Sequence, residues 1–311
     1  MTMSYRIRIA EDVRTAVAAG RPVLALESTI LTHGLPRPLN LRVAQDAERL
    51  TRSFGVLPAT VGVVDGRPTV GLSAEELDVL AVDEQAAKVS VRDLCTTAVA
   101  RTNGGTTIAA SIHLAHRAGV AVFATGGLGG VHRGASASFD ESTDLHALSQ
   151  VPVVVVCSGV KSVLDVRATL ERLETFAVPV LGYRTDRCPG FYVPDAGFPL
   201  RQRADSPEEV ADVLRAQHAF GVSSAVVVAN PIPAEAALEP GELDRVLSQA
   251  WTAAERSEVD GQEATPFLLD QLSRSTAGRS VQANVALYLS NVRLGALVAA
   301  ALSQAPASVR G

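Results

Sequence analysis

Short apolar runs alternate along this chain with longer segments in which apolar residues recur every three to four positions. The runs predict buried β-strands, and the longer segments predict amphipathic α-helices. We expect strands at 21–29, 59–64, 88–91, 120–125, 151–157, 178–182 and 222–229. The run 151–157, VPVVVVC, has β-branched residues without polar alternation, which is typical of a central strand buried on both faces.

Helices are predicted at 39–54, 73–82, 106–118, 161–176, from 206 onward, and at 241–258, 265–275 and 281–303. Local signals support several of these starts. Ser73 and Glu76 have the spacing of a capping box, and Ser206 is followed by proline and two glutamates. The alternation predicts a three-layer α/β/α fold with a mostly parallel central sheet and extra C-terminal helices, in a single domain spanning 1–311.

Composition narrows the class of protein. The 311 residues are 47% hydrophobic and 20% charged, which argues against disorder, and the net charge of −5 argues against nucleic acid as a partner. The N-terminus lacks the apolar segment of a signal peptide, and the apolar stretch 294–302 is too short to cross a membrane. The cysteines, at 95, 157 and 188, lack a C-x-x-C pair, so we expect reduced thiols in a cytoplasmic protein.

Lysine is scarce in this chain. The 28 basic residues include only two lysines, Lys88 and Lys161. Arginine stays protonated, whereas a desolvated lysine loses its proton and attacks a carbonyl-type carbon. Lys161 follows the predicted central strand and is expected to open a helix, whose positive end would lower the pKa of its amine. The alternative is a solvated lysine at a helix start, and we favour the nucleophile.

Two further strand ends carry polar groups. Glu27 follows the apolar run VLAL, and apolar surroundings raise the pKa of a carboxyl and suit it to general acid catalysis. A carboxylate that caps a loop is an equal alternative. Lys88 lies just before Arg92 and Asp93, so this segment is expected either to bind a phosphate or to form an Arg–Asp pair at the surface.

The segment ATGGLGGVHRG, residues 124–134, is rich in glycine. Such a loop lets the backbone approach an anion, although it matches neither the Walker nor the dinucleotide fingerprint and a simple tight turn is the alternative. His132 and Arg133 at its tip favour phosphate, and we predict that His132 contacts the substrate.

An acidic segment, FDESTDL, follows at 139–145. Asp140, Glu141 and Asp144 offer the hard oxygen ligands that Mg²⁺ or Mn²⁺ prefers. The Ser142 hydroxyl could donate a hydrogen bond to a phosphate. On local evidence alone, the acidic first turn of a short helix is the favoured interpretation.

Taken together, these segments resemble the pseudouridine-5′-phosphate glycosidase family, also called the indigoidine synthase A-like family. The matching stretches, in the family's order, are ALESTILTHGLPRP, PATVGVVDGRPTVGLS, KVSVRDL, FATGGLGGVHRGA, FDESTDL, VKSVLDV, VVVANPIP and TPFLL. The resemblance implies an α/β/α homotrimer that uses Mn²⁺ and reversibly hydrolyses pseudouridine 5′-phosphate to uracil and ribose 5-phosphate. The implied partner is therefore a small nucleotide, with no membrane involved.

The resemblance also implies roles for individual residues. Lys161 would be the nucleophile, Glu27 the proton donor and Asp140 the metal ligand. Substrate contacts are implied for Lys88, the backbone at Ile108, Ser142, Thr143, Asp144 and Asn284. Two alternatives stay open, namely a C-glycoside synthase that joins ribose 5-phosphate to another ring and a non-catalytic sugar-phosphate sensor.

Overall fold

A computed structural model describes residues 5–257, 259 and 261–304. The ends of the predicted 1–311 domain and the predicted helix end at position 258 lie outside these residues. The described strands are β1 Arg8–Ile9, β2 Val23–Leu26, β3 Leu57–Val64, β4 Arg67–Val70, β5 Ala87–Val89, β6 Gly104–Thr106, β7 Val122–Ala124, β8 Val154–Cys157, β9 Val180–Tyr183, β10 Gln202–Ala204 and β11 Val226–Ala229.

These strands form a sheet of eleven strands, in the order β1-β4-β3-β2-β7-β8-β11-β9-β10, with β5 and β6 attached beside β3. The pairs β3–β4 and β3–β6 are antiparallel and the other ladders between described strands are parallel. All four residues of β8 are buried, and β8 lies between β7 and β11. The prediction of a mostly parallel sheet with this strand at its centre is confirmed.

The described helices are α1 Glu11–Ala18, α2 Leu39–Ser53, α3 Ala74–Val82, α4 Leu94–Ala100, α5 Ile108–Arg117, α6 Ala135–Ser138, α7 Thr143–Gln150, α8 Val166–Thr175, α9 Pro207–Phe220, α10 Pro240–Arg256, α11 Gly261–Ser275 and α12 Arg279–Ser303. Helices α2, α9 and α12 pack on one face of the sheet, and α1, α5 and α8 pack on the other.

Side chains of β2 show how the strands separate the two apolar layers. Leu24 and Leu26 pack into the layer that contains α12, whereas Val23 and Ala25 pack into the layer that contains α5. Successive side chains of a strand point to opposite faces, so a strand that is apolar throughout joins both layers. The predicted three-layer α/β/α architecture is confirmed.

Both predicted helix starts with capping signals are confirmed. Ser73 and Glu76 form a capping box at the start of α3, and the Ser206 hydroxyl accepts a hydrogen bond from the Glu209 N–H at the start of α9. Such contacts satisfy backbone donors that have no partner within the helix.

The predicted helix start at Lys161 is wrong. Helix α8 begins at Val166, where Asp165 caps the helix by accepting from the Ala168 N–H at 2.9 Å. Residues 161–165 form a turn that is bonded to the glycine-rich loop, with the Asp165 N–H donating to the Val131 carbonyl at 2.9 Å. Lys161 therefore does not lie at a helix N-terminus, contrary to the prediction.

The predicted helix start at residue 106 is also wrong. Thr106 is the last residue of β6, a strand that the sequence pattern did not predict, and α5 begins at Ile108. Thr107 caps this helix by accepting from the Ala110 N–H.

Helix α12 extends well beyond the apolar stretch 294–302. Its 25 residues are long and apolar enough to cross a membrane by length and composition alone. However, 56% of its most apolar window is buried, and the helix packs against β2, β7 and β8. It is a core helix of the α/β/α fold.

The three cysteines are free thiols. Burial raises the pKa of Cys157 to about 12 and that of Cys188 to about 11, so both keep their protons at neutral pH. Cys95 is exposed. This agrees with the prediction of reduced thiols.

Candidate active site

A cavity of about 420 Å³ opens at the carboxyl ends of β2, β5, β6 and β8. Ligands of α/β proteins bind at this edge of a sheet, and the volume is typical of a small-molecule site. Its lining residues are Glu27, Thr29, Lys88, Ser90, Arg92, Thr107, Ile108, Gly129, His132, Asp140, Glu141, Ser142, Thr143, Asp144, Lys161 and Leu164.

The structure brings nearly all the predicted site residues together. Every one except Asn284 lines this cavity. Asn284 instead lines a smaller adjoining cavity, together with Ile30, His33, Gly34, Gly126, Gly127, Phe191 and Leu269. The two cavities share Glu27, Thr29, Lys88 and Lys161. The predicted catalytic pair therefore lies where the two cavities meet.

Glu27 follows β2 and is mostly buried. Burial raises the pKa of its carboxyl above the usual 4.5, whereas the nearby charge of Lys161 and a hydrogen bond from the Thr125 hydroxyl oppose the rise. This confirms the predicted direction of the shift. A carboxyl that keeps its proton at higher pH is suited to donate that proton to a substrate.

Lys161 is held in place by its backbone. Its N–H donates to the Leu128 carbonyl at 3.1 Å, and the Leu128 N–H donates to the Gly159 carbonyl at 2.9 Å. Gly159 has a φ of +77°, and a Cβ there would lie 2.0 Å from the carbonyl oxygen of Pro189. Since no larger residue fits, the sharp turn that presents Lys161 depends on glycine.

The glycine-rich loop is joined to two helices through Asp144. One carboxylate oxygen of Asp144 accepts from the Gly129 N–H at 3.1 Å, and the other accepts from the Ala109 N–H at 3.0 Å. The Ser142 hydroxyl accepts from the Asp144 N–H at 3.2 Å and caps α7. Asp144 thus lies in the first turn of a short helix, as the favoured local interpretation predicted, and it also lines the cavity.

One side of the large cavity is suited to an anion. Thr107 and Ile108 at the N-terminus of α5 line it, as do Lys88 and Arg92. Helix N-termini and basic side chains are the usual partners of phosphate groups. Arg92 also lies 3.5 Å from Asp93, so the predicted Arg–Asp pair forms, while phosphate binding by this segment stays a prediction.

Asp140 and His132 are neighbours at another side of the cavity. The His132 Nδ1 lies 3.6 Å from a carboxylate oxygen of Asp140. Burial lowers the pKa of the His132 imidazole, and Asp140 partly opposes this. Glu141 does not join them, because the Arg172 guanidinium donates to both its oxygens, with Nε at 2.9 and 3.0 Å.

Across the described residues, no group of three His, Cys, Asp or Glu side chains forms a preassembled metal site. Asp140 nevertheless suits a hard divalent ion, because such ions often bind through one or two carboxylates and complete their shell with water and substrate phosphate. Its position in the same cavity as the basic residues fits this mode of binding.

Several residues of the site were not predicted. Thr125 donates a hydrogen bond to Glu27 and follows β7 directly. Because ligands bind at the carboxyl ends of strands, its position after a strand could have indicated it. Thr29 has a buried hydroxyl without a hydrogen-bond partner in the described structure, and it lines both cavities. Phe191 and Leu269 reach the smaller cavity from distant segments. Leu269 ends the matching stretch TPFLL, whereas the sequence offered no pattern for Phe191.

Comparisons with known proteins agree on one family. A family model described as indigoidine synthase A like protein matches residues 12–301. A protein of Saccharopolyspora erythraea named pseudouridine-5′-phosphate glycosidase is 55% identical over 295 residues, which cover 95% of this chain and 97% of that protein. A protein of Streptomyces griseus with the same name is 50% identical and covers 98% of this chain and 94% of its own length.

Two solved structures share the fold. The prealnumycin C-glycosynthase AlnA in complex with ribulose 5-phosphate has a TM-score of 0.89 at 33% identity, covering 97% of this chain and 98% of that one. An indigoidine synthase A-like protein from Thermotoga maritima has a TM-score of 0.88 at 34% identity, covering 98% and 99%.

Proposed function

Because the chain belongs to the indigoidine synthase A-like family, we propose that it is a pseudouridine-5′-phosphate glycosidase. It cleaves the C–C bond between ribose and uracil and releases uracil and ribose 5-phosphate, and the reaction is reversible. One observation carries the proposal most directly. Glu27 and Lys161 lie at the junction of the two cavities, where the bond between a sugar in one and a base in the other would be.

The two cavities differ in the way that the two halves of this substrate differ. The larger one offers Lys88, Arg92 and the N-terminus of α5 to the phosphate. The smaller one offers the Asn284 amide, which pairs with the polar edge of uracil, and the Phe191 ring, which packs against the base. The buried Thr29 hydroxyl lines both and is available to a ribose hydroxyl.

Breaking a C–C glycosidic bond needs chemistry different from that of ordinary glycosidases, which protonate an oxygen leaving group. Glu27 protonates the ring oxygen while the Lys161 amine attacks C1′, so a C–N bond forms and the C1′–O bond breaks. The new C–N bond leaves the nitrogen as an ammonium, which returns a proton to the Glu27 carboxylate. The nitrogen lone pair then forms a protonated imine as the bond from C1′ to the uracil carbon breaks, and that carbon takes up a proton. Water hydrolyses the imine, which releases ribose 5-phosphate and restores Lys161.

Mn²⁺ is part of the proposal, with Asp140 as its protein ligand. When bound, the ion supplies positive charge that orients the substrate phosphate and water. His132, next to Asp140, helps to hold that carboxylate in position for the ion. Ser142 and Thr143 line the cavity beside them and contact the same end of the substrate.

A C-glycoside synthase is the second candidate, because the C-glycosynthase AlnA shares the fold. Relatives named pseudouridine-5′-phosphate glycosidase are more similar to this chain, at 50–55% identity against 33%. Comparing uracil with other ring acceptors in the synthetic direction separates the two functions. A non-catalytic sensor would not require Glu27 and Lys161 to face one cavity.

The homotrimer and the cytoplasmic location are also proposals. The homotrimer rests on the family resemblance. The cytoplasmic location rests on the free cysteines. Light scattering coupled to gel filtration tests the trimer directly, since a monomer has a mass of 32.5 kDa.

Borohydride trapping tests the covalent step. The protein is incubated with ribose 5-phosphate and Mn²⁺, reduced, and examined by intact mass and peptide mapping. We expect one adduct per chain, on Lys161, and the K161R variant should form none and lose at least about 10³-fold in turnover. The K88R variant is the control, because it keeps Lys161. An adduct on Lys88, or full activity in K161R, would disprove the mechanism.

A further inference from the structure

Asn291 is a polar residue in the middle of α12 with no exposed surface. It is not among the described residues that line either cavity. Its side-chain amide donates to the carbonyl oxygens of Thr125 at 2.8 Å and Gly126 at 3.1 Å, directly after β7. A buried amide in an apolar helix face costs stability unless its hydrogen bonds are made, and here they are made to the active-site edge of the sheet.

The same amide reaches two neighbouring strands. Its Nδ2 lies 3.1 Å from the hydroxyl of Ser158, which follows β8, and its Oδ1 accepts from the Asn230 amide, which follows β11, at 3.0 Å. Strands β7, β8 and β11 are adjacent in the sheet. One side chain from α12 therefore joins the carboxyl ends of three consecutive strands.

The two residues that Asn291 binds after β7 are those that hold Glu27. The Thr125 hydroxyl donates to the Glu27 carboxylate, and the Gly126 N–H lowers the pKa of that carboxyl by favouring its charged form. The Thr125 carbonyl that Asn291 binds shares a peptide unit with the Gly126 N–H, so Asn291 orients that N–H directly and fixes the backbone from which the Thr125 side chain extends. Glu27 itself has no direct contact with Asn291 among the described hydrogen bonds.

A second path leads from Asn291 to Lys161. The Ser158 N–H donates to the Gly126 carbonyl at 2.8 Å. Two further backbone hydrogen bonds follow along the same segments, from Leu128 to Gly159 and from Lys161 to Leu128. The glycine-rich loop and the turn at Lys161 are thus two adjacent backbone segments. Asn291 holds them together where they leave the sheet.

We propose that Asn291 is a positioning residue that sets the relative placement of Glu27 and Lys161. The inference rests on the proposed glycosidase function, because it concerns the step in which both groups act on one sugar carbon. A displacement of about 1 Å in such a pair costs about 100-fold in rate, even when it arises far from the reacting atoms. The phosphate-binding side of the cavity belongs to other elements and is expected to be unaffected.

The test variant is N291D, which keeps the shape of the side chain. Its carboxylate still accepts from Asn230, but it replaces a donor with an acceptor that faces two carbonyl oxygens. V292A is the matched control, because Val292 is also fully buried on α12 and lies outside the described polar contacts. We expect N291D to lose about 100-fold in kcat with KM changed less than about 3-fold, and V292A to keep kcat within about 3-fold.

Two further readouts separate positioning from general destabilisation. The alkaline limb of the kcat–pH profile should move to higher pH in N291D, since the carboxylate of Glu27 loses well-oriented donors while Lys161, Asp144 and Tyr288 still face it. Borohydride trapping of ribose 5-phosphate on Lys161 should slow by a similar factor to kcat. Neither change is expected in V292A, even when its melting temperature is as low as that of N291D.

The outcomes are distinct. Inactive wild-type protein would overturn the proposed function and this inference with it. Active wild-type protein with N291D indistinguishable from V292A in kcat, pH profile and trapping would overturn the inference alone. If N291D does not fold, N291S provides the same measurements, because its short hydroxyl cannot reach both carbonyl groups; normal kcat in N291S would equally overturn the positioning role.

Discussion

The Thr125 hydroxyl donates a hydrogen bond to the Glu27 carboxylate, although 98 residues separate them in the chain. The register of the sheet explains the contact. Ala25 and Leu26 of β2 pair with Phe123 and Ala124 of β7, so the next residues of the two parallel strands, Glu27 and Thr125, come side by side where the strands end. Strand pairing therefore places Glu27, the proposed proton donor.

The E27Q variant should lose turnover but still bind the sugar phosphate. Replacing the acid removes proton donation, which contributes about 10²–10⁴-fold to a rate. The alkaline limb of the kcat–pH profile, which lies above pH 4.5 because burial raises the pKa of Glu27, should disappear. Calorimetry with ribose 5-phosphate gives the binding constant, and a loss of binding that matches the loss of kcat would assign Glu27 to positioning.

Glu27 should also make stability depend on pH. Its pKa is raised in the folded protein, so the group adds no penalty below pH 4.5 and destabilises the fold as pH rises through the folded value. The melting temperature of E27Q should therefore match the wild type below pH 4.5, exceed it increasingly as pH rises, and keep a constant lead once pH passes the folded pKa of Glu27. Differential scanning calorimetry measures this difference, and a constant offset across pH would contradict it.

Asn284 should control recognition of the base. In N284A we expect KM for pseudouridine 5′-phosphate to rise about 10-fold, because each hydrogen bond to the base contributes about 1 kcal/mol and its loss leaves a polar edge unpaired. Trapping of ribose 5-phosphate on Lys161 should be unchanged, since that ligand lacks a base. A parallel fall in trapping would place Asn284 outside the base site.

Metal dependence should follow Asp140. After treatment with EDTA, activity should return on titration with Mn²⁺, and D140N should require at least about 10-fold more of it. E141Q is the control, because Glu141 is bound to Arg172. Equal Mn²⁺ requirements in D140N and E141Q would exclude Asp140 as the ligand.

Lys88 should act on the phosphate. A charge-assisted hydrogen bond contributes about 1.5–3 kcal/mol, so K88A should raise KM for the 5′-phosphate by about 10–100-fold. With pseudouridine itself, which lacks the phosphate, wild type and K88A should show similar, low kcat/KM. An equal effect of K88A on both substrates would show that Lys88 does not contact the phosphate.

Much of the fold is determined locally and is visible in the sequence. The run 151–157 is apolar at every position, which is typical of a strand buried on both faces, and its last four residues form the central β8. Ser73 and Ser206 begin helices because their hydroxyls satisfy backbone donors within three residues. The scarcity of lysine likewise indicates a functional role for Lys88 and Lys161, and both line the cavity.

Other elements depend on partners distant in the chain. Strands β1 and β10 are two and three residues long and carry little pattern of their own, since they exist by pairing with β4 and β9. The turn that holds Lys161 was predicted as a helix because its sequence is amphipathic. Its backbone instead forms hydrogen bonds to the glycine-rich loop, some thirty residues earlier, and these replace the hydrogen bonds of a helix.

The sequence by itself determined the order of the main buried strands and long helices, the family and the identity of the residues with reactive chemistry, because these depend on residue type and short spacing. Only the tertiary structure decided that Glu27 meets Thr125, that Asp144 joins the glycine-rich loop to α5, and that Asn291 joins three strand ends from α12. These contacts are fixed by strand register and by the packing of a helix on the sheet. Neither leaves a periodic signal in the chain, since each depends on the position of residues about fifteen to more than 160 apart.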